Sequence, residues 1–189
     1  GPLGLSALLS GLAIFDRVPA IWASAALAMQ AELLVLAGRR LKQRYVESLG
    51  DLAFVCSLGK LLVDASGERK TVIFGRSFYN WTPVAALHAA LFYLNRVAAP
   101  GSPYSYAASA LAALILCYEA PEAYVGLALM AFGAILFEIG MRRRLGDFRV
   151  QSYAIMPIGL IVVLMQHGAE TPLQIGGTLT RGEKNGGRP

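Results

Sequence analysis

Charge is what this sequence lacks first. Only 15% of its 189 residues are Asp, Glu, Lys or Arg, against about 25% in ordinary globular chains. The few charges gather in short clusters between long apolar runs. With 56% hydrophobic residues and a mean hydropathy of +0.51, that pattern predicts a polytopic membrane protein. Cysteine is nearly absent. Cys56 and Cys117 form no CxxC pair, which argues against a disulfide framework and a zinc site and leaves both as small apolar fillers. Alternating polar–apolar stretches are missing, so strands are not expected. P-loop, GxSxG, HExxH and dinucleotide fingerprints are missing too. No catalytic, cofactor-binding or metal-binding residue is therefore assigned, the cofactor stays open, and an enzyme is the lesser expectation. His167 and Glu170 form a very weak metal signal. The net charge of +5 suggests nucleic acid, but the bases flank apolar spans and no nucleic-acid-binding module is present.

What is present is a series of apolar segments. Seven are read: residues 3–15, 18–38, 46–63, 81–97, 104–118, 122–141 and 149–166. They predict an all-α polytopic transmembrane helical bundle over residues 1–167, followed by a polar, disordered tail over 168–189. The opening Gly-Pro-Leu-Gly reads as a tag remnant or the start of a fragment, with no signal peptide.

The stretches "AGRRLKQRYVES" and "GMRRRLGDFRVQS" look like one basic turn used twice. Pro19 aligns with Pro121, Leu34 with Leu136 and Gly38 with Gly140. After a two-residue slip, Leu41 aligns with Leu145, Val46 with Val150 and Ser48 with Ser152. This predicts a tandem helix–loop–helix repeat over 18–49 and 121–153. Arg39, Arg40, Lys42 and Arg44 mark one loop as cytoplasmic, and Arg142, Arg143, Arg144 and Arg149 mark the other. These eight are expected to be topology anchors, or contacts for anionic lipid headgroups. The expected location is the plasma membrane, a bacterial inner membrane, with the tail outside. The expected partners are the bilayer and possible other membrane subunits, with no nucleic acid.

Polar residues inside apolar segments are the candidate site: Glu32, His88 and Asp51. Glu32 is expected to face the bundle interior, paired with Ser48, Tyr153 or Gln151. Glu138–Arg142 and Lys60–Asp64 have ion-pair spacing on a helix. Glu47 and Asp51 stack on one helix face, where Arg39, Arg40 or Arg44 can pair with them.

The stretches "GMRRRLGDFRVQSYAI" and "FYNWTPVAALHAALFYLNR" resemble an uncharacterised family of very large multi-pass bacterial membrane proteins. Those proteins look like strings of helix pairs with arginine-rich turns and an Arg-x-x-x-Tyr step, which Arg149 and Tyr153 match. The resemblance covers residues 18–166 and brings no activity with it. It implies a fragment or a small accessory subunit. The functional expectation is a non-catalytic integral membrane subunit. One alternative is an outer-face enzyme on lipid-linked substrates, using Asp16, Asp64 and Glu68 with a divalent ion and Arg69 and Lys70 for phosphate. The other is a proton-coupled transporter using Glu32 and His88.

Overall fold

The computed structural model describes residues 6, 9–11, 13, 16, 20–65, 70–73, 76–98 and 103–170. Helix α1 (Ala20–Leu41) turns directly into α2 (Arg44–Ala65). Two short strands follow, β1 (Lys70–Ile73) and β2 (Arg76–Tyr79). Next come α3 (Thr82–Ala98) and α4 (Tyr104–Glu119). A single 3-10 turn at Glu122–Tyr124 leads into α5 (Val125–Arg142), and α6 (Gly146–Glu170) ends the described chain.

Small residues let the helices of each hairpin touch. A Cβ on Gly38 would lie 2.4 Å from the backbone nitrogen of Glu47, and one on Gly50 would lie 2.8 Å from that of Val35. On α5, Gly126, Gly133 and Gly140 recur at heptad spacing and all face α6. Gly126 meets the backbone of Gly159 and Val163, Gly133 meets Met156, and Gly140 meets Arg149.

The two hairpins close with the same turn. The Gln43 N–H donates to the Gly38 carbonyl at 2.9 Å, as Leu145 does to Gly140 at 2.9 Å. Lys42 and Arg144 take the left-handed conformation, with φ of 53° and 54°. This is the Schellman closure, in which the left-handed residue is usually glycine. The equivalence is residue for residue: Gly38 with Gly140, Lys42 with Arg144, Gln43 with Leu145. The two-residue slip expected between the loops does not exist. Glu47, not Val46 or Ser48, marks the register, standing over Gly38 as Arg149 stands over Gly140.

Helix α3 lies against the first hairpin, and α4 pairs with α3. The core joins Ala28, Ala31 and Val35 of α1, Phe54 and Leu61 of α2, Val84, Ala85 and Phe92 of α3, and Ala108 and Leu111 of α4. Each large member contributes about 1.5–3 kcal/mol by leaving water. Strands β1 and β2 form an antiparallel pair that the lack of alternation did not predict; Lys70 stands opposite Tyr79. Glu119 ties this pair to the bundle. Its carboxylate accepts the Tyr79 N–H at 2.9 Å and the Thr82 hydroxyl. Beside it, Tyr118 meets the rings of Tyr79 and Trp81 at 5.5 and 5.3 Å.

The seven-segment transmembrane bundle is overturned. Helices α3 and α4 have 17 and 16 residues, short of the about 20 that a crossing takes. Helix α2 carries Glu47, Asp51, Lys60 and Asp64. Among the described residues, only Glu122–Arg142 and Gly146–Gln166 are long and apolar enough to cross a membrane, by length and composition alone. The polar groups assigned to a bilayer interior each bond to a partner within a self-contained helical bundle, Glu32 to Asn95, His88 to Ser57 and Asp51 to Tyr104. The integral-membrane function goes with the topology, in its subunit, lipid-enzyme and transporter forms. So do the inner-membrane location, the sidedness of loops and tail, and the lipid and membrane-subunit partners. One smaller expectation also changes. Cys56 and Cys117 are exposed free thiols rather than apolar fillers. Trp81 is buried. Most of the segment at 3–15, the tail from 171 onward, and Glu68 and Arg69 lie outside the described residues. Helix α6 continues to Glu170, past the boundary expected at 167, and passes through Pro157.

Candidate binding groove

A groove of about 370 Å³ opens between α2, α3 and α4. Its floor and walls are apolar: Phe54, Val55 and Leu58 from α2, Phe92 from α3, and Pro103 and Ala107 beside the start of α4. Helical spacing explains the α2 wall. Residues 51, 54, 55 and 58 recur at three and four, so they share one face. Phe54, Phe92 and Tyr104 form a triangle of rings, with centroids 5.1, 5.9 and 5.7 Å apart. Such tilted and edge-on pairs add about 0.5–1.5 kcal/mol each beyond burial, which makes the floor stiff.

One end of the groove is polar, lined by Arg39, Glu47, Asp51 and Tyr104. Arg39 is already committed. Its Nε donates to Glu47 Oε1 at 3.2 Å and its Nη1 to Asn95 Oδ1 at 3.1 Å. Asn95, 1% exposed, passes the connection on through Nδ2 to Glu32 Oε2. The relay Glu47–Arg39–Asn95–Glu32 thus pins α1, α2 and α3 behind the groove. Asp51 stands apart. It is exposed, and it accepts the Tyr104 hydroxyl. No cation among the described residues lies within ion-pair distance of it. Burial pushes the Tyr104 hydroxyl well above its ordinary range, and the hydrogen bond and charge of Asp51 push it further. The phenol therefore stays a donor.

The three candidate residues read from the sequence do not form one cluster. Asp51 lines the groove. Glu32 lies behind it, half-buried, and its partner is Asn95 rather than Ser48, Tyr153 or Gln151. His88 is fully buried one turn before Phe92 on the same face of α3, its ring 6.3 Å from that of Phe92. Its Nδ1 is 2.8 Å from the Val84 carbonyl and its Nε2 is 2.6 Å from Ser57 Oγ. Burial holds its imidazole below the ordinary range, against the Val84 hydrogen bond that favours the charged form. Of the basic residues, Arg39 turns inward. Arg40, Lys42, Arg44, Arg142, Arg143 and Arg144 are exposed, and Arg149 packs half-buried over Gly140. The expected ion pairs Lys60–Asp64 and Glu138–Arg142 are formed, as is Arg39–Glu47.

Sequence reading missed Asn95, Tyr104 and Arg96. No periodicity pairs Asn95 and Tyr104 with residues on α1 and α2. Arg96 makes a two-pronged ion pair with Asp147, Nε to Oδ2 at 2.9 Å and Nη2 to Oδ1 at 3.0 Å. This pair holds Asp147 below the ordinary carboxylate range. No group of three or more His, Cys, Asp and Glu converges to hold a metal among the described residues. No protein-family model, curated protein or solved structure matches this chain. The resemblance to very large multi-pass membrane proteins is therefore withdrawn, and the architecture that stands in its place is a helical bundle packed on its own core, with one short strand pair.

Proposed function

We propose that the chain is a binding protein for a small molecule with an apolar body, held in the groove between α2, α3 and α4. The observation that carries this reading is the groove itself: apolar walls along its length and a few fixed polar groups at one end. Ligand sites have that composition and run from about 300 to 1,000 Å³, so the occupant is small. The relay from Glu47 to Glu32 holds the polar end rigid before a ligand arrives, which lowers the ordering cost of binding. Asp51 is the member of the candidate set at the mouth. Glu32 positions Arg39 through Asn95, and His88 supports the helix that carries Phe92.

The test uses N-phenyl-1-naphthylamine, a neutral dye whose emission rises in apolar surroundings. Val55 lines the groove and is 67% exposed, so a larger ring fits there without displacing core residues. The expected result is saturable emission with the native chain and, in Val55→Trp, a loss of affinity of about tenfold, the equivalent of one or two lost apolar contacts. Equal binding by both would overturn the reading.

A further inference from the structure

We infer that the ligand is a cationic amphiphile, an alkylammonium or arylalkylammonium, with its charged end on Asp51 and its chain along Val55 and Leu58. The inference rests on the groove reading and deepens it.

Charge decides the sign. Of the groups at the polar end, the guanidinium of Arg39 is bound by Glu47 and Asn95 at 3.2 and 3.1 Å. Glu47 already balances its charge, which leaves Asp51 in excess at this end, so a carboxylate or phosphate would meet net negative charge. Asp51 takes one hydrogen bond, from Tyr104. An ionised carboxylate accepts about four, so it has room for the N–H donors of an ammonium. A neutral alcohol would place only one donor there, and a carboxylic acid anion none.

Geometry agrees. The Tyr104 ring belongs to the triangle with Phe54 and Phe92 and lines the same groove as Asp51. An ammonium on Asp51 therefore lies beside the Tyr104 hydroxyl oxygen, which donates its own proton to Asp51 and can accept a further N–H. The apolar wall starts one helical turn along α2, at Val55 and Leu58, where a short alkyl chain would lie.

Displacement of bound N-phenyl-1-naphthylamine by n-octylammonium, n-octanol and n-octanoate, all below aggregation, tests the inference. In the native chain the ammonium should compete about tenfold better than the alcohol, as one charge-assisted hydrogen bond provides, and the octanoate worst. Asp51→Asn should abolish the preference for ammonium while n-octanol competes unchanged. Tyr104→Phe, which frees the carboxylate of its hydroxyl partner, should keep the preference. Displacement by n-octanol with no preference for ammonium over octanoate would overturn the cationic ligand and leave the groove standing. Failure of all three to displace the dye would overturn both readings. Loss of the preference in Tyr104→Phe, with Asp51 intact, would overturn the carboxylate as the holding group.

Discussion

His88 has an acceptor at each ring nitrogen, and a neutral imidazole has one N–H. The Val84 carbonyl claims Nδ1, and Ser57 Oγ faces Nε2. The Ser57 hydroxyl also lies 2.7 Å from the Ser24 carbonyl, so its one proton is contested. A second proton on the ring would satisfy every group, but burial opposes the charge and prevails. The sign for stability follows. The unfolded chain takes up a proton near 6.5 and the folded chain does so only at lower pH. Stability is therefore full above 6.5 and falls below it, by up to about 1.4 kcal/mol per pH unit until the folded group titrates. Chemical denaturation between pH 7.5 and 5 should show this slope, and His88→Gln should flatten it. Ser57→Ala should cost about 1–3 kcal/mol at pH 7.5 by stranding Nε2 without a partner. A cost near zero would mean that the ring is satisfied from elsewhere. The polarity of this position was legible in the sequence, because His88 sits alone in an apolar run. Its partner was not, since Ser57 lies on another helix and nothing in its own neighbourhood sets it apart.

Within α2, two glycines should respond to the same substitution with opposite signs. A Cβ on Gly50 would meet the Val35 backbone nitrogen at 2.8 Å and the Ala31 carbonyl at 3.0 Å, while one on Gly59 meets nothing within 4 Å. Gly50→Ala should then cost about 1–3 kcal/mol by forcing α1 and α2 apart. Gly59→Ala should gain about 0.5–1 kcal/mol from helix propensity. Thermal melting of the two variants decides it, and equal shifts would contradict the packing. Lys42 and Arg144 make a related case. Each holds a left-handed backbone that costs a side-chain-bearing residue about 1–2 kcal/mol. Lys42→Gly should recover part of that, less the greater freedom of glycine when unfolded. Most helix positions were legible from apolar run lengths and from the basic clusters that end them. The β1–β2 pair was not, because four-residue strands joined by two residues leave too little sequence to show a period of two. The register between the hairpins was misread for a physical reason. Matching apolar residues score well at several offsets, whereas the turn hydrogen bonds admit one.

Across the whole molecule, polar contacts and the packing of Phe148 on Tyr93 join the second hairpin to the rest. Arg96 reaches Asp147, with side chains 11% and 14% exposed. Gln151 of α6 donates to Ser105 at 3.0 Å and accepts from Ser109, which also bonds Tyr93. Asp147→Asn leaves the Arg96 charge largely buried and should cost about 2–3 kcal/mol, since breaking a buried pair strands one ion. Pairing Arg96→Met with Asp147→Leu should restore much of this. A double variant as unstable as the single one would show that the pair contributes more than it costs. Sequence composition misled most strongly at this scale. A low share of charge was read as burial in lipid, while residues such as Arg96, Asp147, Glu32 and Asn95 meet across helices far apart in the chain. Such meetings leave no local mark in a sequence.

The matching turns at Lys42 and Arg144 also bear on the order in which the chain folds. Each joins helices that are neighbours in sequence, so pairing α1 with α2, or α5 with α6, closes only a short loop and pays little entropy. Contacts of that kind form fast. The seam between α1 and α3 must wait for the intervening chain, because Glu32 and Asn95 meet only after α2 and both strands are traversed. Pulsed hydrogen exchange during refolding should therefore protect the amides of both hairpins before those of α3, and Asn95→Ala should speed unfolding while leaving the folding rate nearly unchanged.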